Sequence, residues 1–281
     1  MSLLARPAST ARTTSRLRRT AALVLLGAGL AVPAATLPAA PVGAAASDGA
    51  AVWDRSVLGR SVGGRPITAY HLADREVTTP RPTVVLFSTM HGDEPDTRFA
   101  LRGLVEGPQV VGVDLWVVPV YNPDGLRVGT RANGRGVDLN RNFPYRWADL
   151  DGRYESGSGP ASEPETRAVM RFLRRVDPDW VLSFHQPLDG VDTDTKRPAF
   201  ARRVARELRL PRRTLDCGGV CHGTMTGWFN RHFRGAALTV EYGASPSRRH
   251  LRRTVPEQVL RIFGAARGEV DAAPADVEPG P

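Results

Sequence analysis

The fold is decided by residues 83–94, Thr83-Val84-Val85-Leu86-Phe87-Ser88-Thr89-Met90-His91-Gly92-Asp93-Glu94. The apolar run from Val84 to Phe87 shows no polar alternation, which predicts a strand buried on both faces, as in a parallel or mixed sheet. His91 and Glu94 follow where this strand gives way to a loop, and such a pair can converge on one metal ion. The pair alone is more often part of an ordinary polar loop, because His-x-x-Glu occurs often by chance, so the rest of the chain has to decide.

The first 46 residues have the pattern of a secretory signal peptide. Four arginines between Arg12 and Arg19 precede an apolar run at 21–32, and Ala44-Ala45-Ala46 supplies a small-residue cleavage site. The run of 12 residues is well short of the roughly 20 that a membrane-spanning helix needs. The sequence therefore predicts export, by the general or the twin-arginine route, to a secreted or cell-envelope location, without stable membrane insertion after cleavage. The alternative is an uncleaved N-terminal anchor.

Residues 47–268 are predicted to form one α/β domain, and residues 269–281, which are rich in proline, alanine and acids, a disordered tail. The formal charge of +9 falls to +4 when residues 1–46 are removed, because they hold five arginines and no acids. No basic run is interleaved with aromatic residues, so nucleic-acid binding is not predicted. The mild positive charge is compatible with an anionic polymer such as a cell wall.

The remaining chain is predicted to form a β-hairpin followed by alternating strands and helices. The hairpin is centred on Gly63-Gly64, and a turn is expected at residues 122–125. A long irregular region at 125–160 is dense in fixed polar groups, which favours a functional loop. Strands are predicted at 113–120, 180–184 and 236–240, and helices from residue 95, from a capping box at Ser162 to Val176, at 198–208 and at 255–263.

Four apolar runs end in polar side chains, namely His91 with Glu94, Asn122, His185 and Glu241. In open α/β sheets, sites are built at the carboxyl ends of the strands. Two histidines and one glutamate form a catalytic zinc shell that leaves a place for water. A further carboxylate can take a proton from that water, and Glu241 is the candidate. The alternative for Glu241 is a strand-end glutamate that is merely solvated.

Cys217 and Cys221 are the only cysteines of the chain. In an exported protein, a close pair with glycines between is most simply a disulfide that closes a tight loop. The alternative is a thiolate metal site that includes the neighbouring His222.

The motifs around these residues resemble, in order and spacing, the zinc carboxypeptidases of the carboxypeptidase A type. The similarity runs from about Ser56 to Gly243. Its motifs are His91-Gly-Asp-Glu94, Asn122-Pro-Asp-Gly, Gly-Val-Asp138-Leu-Asn140-Arg141-Asn-Phe-Pro, Ser-Phe-His185 and Val-Glu241-Tyr. Two further segments, Arg131-Ala-Asn and Ser162-Glu-Pro-Glu-Thr, look closest to the murein peptide amidases. Those enzymes cut the bond between γ-D-glutamate and meso-diaminopimelate in cell-wall peptides.

The resemblance implies a three-layer α/β/α sandwich on a mixed, mostly parallel eight-stranded sheet, with one zinc ion per chain. It implies that His91, Glu94 and His185 hold the metal and that Glu241 is the general base. Arg131 matches the arginine that polarises the scissile carbonyl. Asn140 and Arg141 match the pair that grips the terminal carboxylate of the substrate, and a guanidinium suits that task because it donates two parallel hydrogen bonds.

The chain departs from the animal carboxypeptidases at one point. Those enzymes carry a tyrosine hydroxyl upstream of the general base, and residues 216–240 contain no tyrosine. His222 lies near that place, either as a substitute hydrogen-bond donor or as an ordinary loop residue.

The sequence thus predicts an exported zinc metallopeptidase whose substrate is a peptide or muropeptide. The expected reaction is hydrolysis of an amide bond next to a free carboxylate in cell-wall peptides, and the resemblance implies the bond between γ-D-glutamate and meso-diaminopimelate. The alternatives are a carboxypeptidase that releases ordinary C-terminal residues, an acylase-type relative, and a non-catalytic wall-binding protein on the same fold. The residues that would decide substrate choice are expected around 223–228. The sequence does not show which substrate side chain they would bind. It does not give the oligomeric state either.

Overall fold

The computed structural model describes residues 52–72, 80–215, 217–219 and 221–268. The predicted signal peptide at 1–46 and the predicted tail at 269–281 lie outside the described residues, and both stay predictions. Within the described part of the chain, no helix is long and apolar enough to cross a membrane.

The described residues alternate between strands and helices. The strands are β1 Asp54–Arg60, β2 Pro66–Leu72, β3 Thr83–Ser88, β4 Val110–Val111, β5 Asp114–Val118, β6 Trp180–His185, β7 Leu188–Asp192, β8 Arg212–Arg213, β9 Ala236–Gly243 and β10 Ala266–Arg267. The helices are α1 Arg98–Val105, α2 Pro123–Val128, α3 Pro164–Val176, α4 Pro198–Leu208, α5 Met225–His232, α6 Arg248–Arg253 and α7 Val255–Ile262.

The central element is an eight-stranded mixed sheet in the order β1-β2-β5-β3-β6-β9-β7-β8. The middle strands β5, β3, β6 and β9 run parallel to one another. At the two sides, β2 pairs with β5 and β7 pairs with β9 in antiparallel fashion. The predicted mixed sheet is confirmed.

Strand β3 shows how the sheet separates two cores. Its side chains alternate, as those of any strand do, so that Val84 and Leu86 join one buried cluster while Val85 and Phe87 join the other. Helices α1, α4 and α7 pack in the first cluster, and α3 and α5 pack in the second. The continuous apolar run is therefore explained by a strand that lies between two helical layers.

Two local predictions are wrong. Residues 122–125 begin the short helix α2 rather than an isolated turn, because the Asn122 side chain accepts the N–H of Gly125 at 2.8 Å and Pro123 fits the first helical position. The capping box at Ser162 is not formed, because Pro164 starts α3 and places Glu163 at the N-cap. The Glu165 carboxylate instead accepts the N–H of Val62 at 3.0 Å.

Candidate active site

The carboxyl ends of the parallel strands carry the side chains that the sequence singles out. His91 and Glu94 follow β3, and Asn122 follows β5. His185 ends β6 and lies opposite Glu241 in the register between β6 and β9. The parallel arrangement brings all of these strand ends to one edge of the sheet.

The loop that carries His91 reaches this edge because two glycines allow backbones to touch. A Cβ atom on Gly92 would lie 1.9 Å from the carbonyl carbon of Gly125 in α2. A Cβ atom on Gly125 would lie 2.5 Å from the side-chain amide nitrogen of Asn122. A residue with a side chain would push these segments apart, so glycine at both positions holds the His91 loop against α2.

Three buried side chains converge on one point. The Nδ1 atom of His91 lies 2.6 Å from Oε1 of Glu94, and the Nδ1 atom of His185 lies 2.8 Å from Oε2 of the same carboxylate. The two Nδ1 atoms are 3.3 Å apart. One ligand atom from each of the three residues lies within 4.8 Å of the other two, and each residue is at most 5% exposed.

The outward-facing nitrogens of both imidazoles are held by neighbouring side chains. Nε2 of His91 lies 3.0 Å from Oδ1 of Asp138, and Nε2 of His185 lies 2.9 Å from Oγ of Ser183. Because each Nε2 atom can donate to an oxygen, each Nδ1 atom can present its lone pair inward. Their surroundings therefore orient both imidazoles so that the inward nitrogens are available to a metal ion.

Zinc fits this set of donors. Two imidazole nitrogens and one carboxylate are the ligands of many catalytic zinc sites. Burial alone would lower the pKa of His91, but the carboxylates of Glu94 and Asp138 raise it to about 9. Burial opposes the shift for Glu94 as well, yet the nearby histidines bring its pKa well below the usual range. The carboxylates thus favour positive charge at this point, and a divalent cation supplies it.

Glu241 is a buried carboxylate beside the three ligand residues. Its Oε2 atom accepts the backbone N–H of Leu188 at 3.3 Å, and within the described residues its Oε1 atom has no hydrogen-bond partner. Burial raises the pKa of Glu241; the nearby His185 opposes this shift and Glu94 adds to it. A carboxylate with a raised pKa and a free oxygen is suited to taking up a proton.

Two arginines approach the ligand set from the irregular region. Nε of Arg131 lies 2.9 Å from Oδ2 of Asp138, and its terminal nitrogen lies 3.5 Å from Oε1 of Glu94. Arg141 is 2% exposed, and its Nε has no hydrogen-bond partner in the described part of the chain. The Tyr154 ring lies under both guanidinium groups, with its centroid 5.5 Å from Arg131 and 5.0 Å from Arg141. A buried unpaired N–H is unfavourable, and a substrate carboxylate would satisfy it.

Asn140 connects this region to α5. Its Oδ1 atom accepts the N–H of Met225 at 3.0 Å, which leaves the amide NH₂ group available. A Cβ atom on Gly223, whose φ is +59°, would lie 2.3 Å from the carbonyl oxygen of Arg141. The segment before α5 therefore packs directly against the Asn140-Arg141 pair.

A cavity of about 540 Å³ joins these groups. It brings together every residue predicted for metal binding, catalysis and substrate binding, which are His91, Glu94, His185, Glu241, Arg131, Asn140 and Arg141. Cys217 and Cys221, which the structure joins in the predicted disulfide, also line it. His222 is not among the lining residues, and its Nδ1 atom lies 3.1 Å from the carbonyl oxygen of Arg146. The tyrosines that line the cavity are Tyr145 and Tyr154.

Sequence reasoning missed three residues that shape the site. Asp138 lies within a quoted motif, and its place two residues before Asn140 was the available signal for a partner of His91. Gln186 directly follows a ligand, and its backbone N–H lies 3.3 Å from Oε2 of Glu94. Tyr154 lies in the irregular region, and no pattern in the sequence connects it to the two arginines.

Comparisons with known proteins agree with this geometry. Residues 50–187 match the zinc carboxypeptidase family model. Murein peptide amidase A of Escherichia coli K12 is 36% identical over 149 residues, which span 47% of this chain and 60% of that protein's own length. The γ-D-glutamyl-L-diamino acid endopeptidase 1 of Lysinibacillus sphaericus is 25% identical over 209 residues, or 58% of this chain and 51% of the relative. The crystal structure of a murein-tripeptide amidase from Escherichia coli O157 aligns with a TM-score of 0.60 and 28% identity, over 74% of this chain and 91% of that chain.

Proposed function

The chain carries a zinc carboxypeptidase domain, which indicates a metallopeptidase, and from this premise we propose that the protein is an exported enzyme that hydrolyses an amide bond in cell-wall peptides. The bond is the one between γ-D-glutamate and meso-diaminopimelate, next to a free carboxylate. The observation that carries the proposal is the convergence of His91, Glu94 and His185 beside Glu241 in a cavity that also holds Arg131 and Arg141.

In the proposed mechanism, His91, Glu94 and His185 hold one zinc ion. Bound there, zinc would polarise the scissile carbonyl and lower the pKa of the attacking water. Glu241 takes the proton of that water on its free Oε1 atom and then passes it to the leaving amine. The buried position of Glu241, which is 8% exposed, keeps bulk water away from this proton.

The arginines bind the two ends of the reacting group. Arg131, anchored through Nε on Asp138, points its terminal nitrogen towards the ligand set, where negative charge develops on the carbonyl oxygen. Arg141 offers its unpaired Nε to the free carboxylate of the leaving residue, and the Asn140 amide adds a second donor. Holding that carboxylate positions the amide bond for attack.

The choice of a muropeptide rests on the relatives and on the charge of the cavity. The names of the relatives specify murein peptides and a diamino acid. The cavity is lined by further basic residues, including Arg146 and Arg153, in addition to the two arginines of the mechanism. A peptide of the murein stem carries several carboxylates, and a basic cavity suits it.

A product assay tests the proposal. The zinc-loaded chain is incubated with the tripeptide L-alanyl-γ-D-glutamyl-meso-diaminopimelate and, in parallel, with a plain tripeptide of ordinary α-linked residues. We expect free diaminopimelate and the intact dipeptide from the first substrate and little product from the second, as read by mass spectrometry. Release of C-terminal residues from the plain peptide alone would instead identify an ordinary carboxypeptidase. Wall binding without hydrolysis of either peptide would identify a binding protein.

Export is the second part of the proposal. The basic, apolar and small-residue order of residues 1–46 supports it, and the disulfide between Cys217 and Cys221 is compatible with an oxidising compartment. N-terminal sequencing of the protein from the envelope or the medium should give a chain that starts at Ser47. A chain that keeps residues 1–46 in a membrane fraction would point to the uncleaved anchor.

A further inference from the structure

The far end of the cavity is rich in polar side chains, and none of them belongs to the sequence motifs. They include Asp192, Asp194, Thr195, Lys196, Asn230 and Thr239. They come from β7, the segment after it, α5 and β9. A pocket for an apolar side chain would present aliphatic or aromatic groups, so this lining indicates a polar side chain in the substrate.

The strand register places Asp192 on the same side of the sheet as the catalytic carboxylate. In the antiparallel pair of β7 and β9, Gly190 lies opposite Glu241 and Val191 lies opposite Val240. The next position in this register pairs Asp192 with Thr239. Residues two apart on a strand face the same side, so Asp192 lies roughly 7 Å along the sheet from the level of Glu241.

The Asp192 carboxylate is half-buried and has no cationic partner. Its Oδ1 atom accepts the backbone N–H groups of Asp194 at 3.0 Å and Leu215 at 3.4 Å, and the backbone N–H of Thr193 also acts on this carboxylate. Burial raises the pKa of Asp192, and the neighbouring Asp194 adds to the shift. A partly desolvated carboxylate without a cationic partner is a strong site for an incoming cation.

Two basic side chains of this region have other partners. Lys196 donates from Nζ to the carbonyl oxygens of Asn230 and Phe233, at the end of α5. Arg213, beside Asp192 on β8, donates from Nε to the carbonyl oxygen of Asp189 at 2.8 Å. Among the described residues, no ion pair involves Asp192, so its charge remains available to a substrate.

We propose that Asp192 is the specificity-determining residue of this cavity and that it binds a primary ammonium group at the end of the side chain of the released residue. The inference rests on the proposed function and deepens it. In diaminopimelate the side-chain nitrogen lies five bonds from the Cα atom, roughly 6 Å when extended. That reach agrees with the separation between the level of Glu241 and Asp192.

The experiment compares two substrates that differ only in this amine. One is the tripeptide ending in meso-diaminopimelate, and the other ends in 2-aminopimelate, which keeps the distal carboxylate and lacks the amine. The wild-type chain should hydrolyse the first with the higher kcat/KM. Asp192→Asn should lower kcat/KM for the diaminopimelate substrate roughly 10- to 100-fold, the loss expected for a charge-assisted hydrogen bond, and leave the 2-aminopimelate substrate within about twofold.

The 2-aminopimelate substrate also reports whether the variant is folded, because its turnover needs the whole zinc site. Asp189→Asn is the matched control, since it makes the same change at an exposed position of β7 that does not line the cavity, and both substrates should react as in the wild type. Equal losses on both substrates in Asp192→Asn, or no loss on either, would overturn the role of Asp192 and leave the proposed function intact. If the wild-type chain hydrolyses neither substrate, the proposed function fails, and the assignment of Asp192 fails with it.

Discussion

The two ends of the active-site cavity are built in different ways. At the metal end, His91, Glu94 and His185 are buried, and each has hydrogen-bond partners that fix its orientation. At the far end, Asp192 is half-buried and has no ion pair among the described residues, and the groups around it come from separate elements. The three residues that could hold the metal contact one another without substrate, whereas no ion pair within the described residues neutralises the Asp192 carboxylate.

The difference indicates a division of tasks. In the proposed mechanism, preorganised groups at the metal end act on any amide bond brought to them. Open polar groups at the far end discriminate between substrates, because a partner that leaves them unpaired binds poorly. Changes at the metal end should therefore alter the rate for every substrate, and changes at the far end should alter the choice between substrates.

The largest effect is expected for Glu241→Gln. The amide keeps the shape of the side chain but cannot take up a proton, so kcat should fall roughly 10²- to 10⁴-fold on every substrate. Zinc content, measured by atomic absorption on the same sample, should stay at one equivalent, because Glu241 is not among the three ligands. Turnover equal to that of the wild type would remove Glu241 from its role as the base.

The next largest effect is expected for Asp138→Asn. Asp138 is fully buried and lies within hydrogen-bond distance of both His91 and Arg131. Loss of its charge should lower zinc affinity roughly 10- to 100-fold, the range known for partners of metal-binding histidines. Competition with a chromogenic chelator measures this affinity. A zinc affinity equal to that of the wild type would show that His91 is oriented without Asp138.

A smaller effect is expected at Tyr154, whose ring supports two guanidinium groups. Tyr154→Leu removes both cation–π contacts and should lower kcat/KM roughly five- to thirtyfold. Tyr154→Phe keeps the ring and should stay within about twofold of the wild type. If Tyr154→Phe lowers kcat/KM as much as Tyr154→Leu does, the contribution of Tyr154 comes from its hydroxyl group and not from its ring.

The smallest effect is expected at another carboxylate–histidine pair within the described residues, His71 and Asp114. Nε2 of His71 lies 2.5 Å from Oδ1 of Asp114, and neither residue lines the cavity. Burial opposes the shift, but hydrogen bonds from His71 and Thr83 lower the pKa of Asp114. The pair therefore stabilises the fold above about pH 4, and the contribution is lost as the pH falls through the lowered pKa. Asp114→Asn should reduce the unfolding free energy by under about 1 kcal/mol near neutral pH, and the difference should shrink in acid.

Denaturant unfolding at several pH values measures this difference, and activity and zinc content should not change. A loss of zinc in Asp114→Asn would contradict the separation of this pair from the active site. The result also serves as the control for Asp138→Asn, because both variants remove a carboxylate that contacts a histidine.

The metal end could be predicted from the sequence because its residues follow continuous apolar strands. The apolar run at 84–87 and the apolar run before His185 each predict a buried strand. The carboxyl ends of parallel strands lie at the same edge of the sheet. The far end could not be predicted in this way. Strand β7 follows β6 after two residues and has no apolar pattern of its own, so neither its antiparallel pairing with β9 nor the position of Asp192 was visible.

The irregular region shows the same limit. The sequence motif around Asn140 and Arg141 could be recognised. The contact of Tyr154 with Arg131 and Arg141 could not, because it depends on the path by which residues 142–154 return to the site. Proline at 123 and at 164 decided the local helix starts, where the turn and capping-box patterns had predicted otherwise. Local sequence patterns thus predict the type of each element well. They fail to predict a side chain's hydrogen bonds when its partner is distant in sequence, as for Glu165, which accepts the N–H of Val62.

One ratio tests the division of tasks most directly. It is kcat/KM for the diaminopimelate substrate divided by kcat/KM for the 2-aminopimelate substrate, measured in the wild type, in Asp138→Asn and in Asp192→Asn. We predict that Asp138→Asn slows both substrates by the same factor and keeps the wild-type ratio, while Asp192→Asn brings the ratio close to one. A ratio that changes in Asp138→Asn, or one that stays at the wild-type value in Asp192→Asn, would contradict the account.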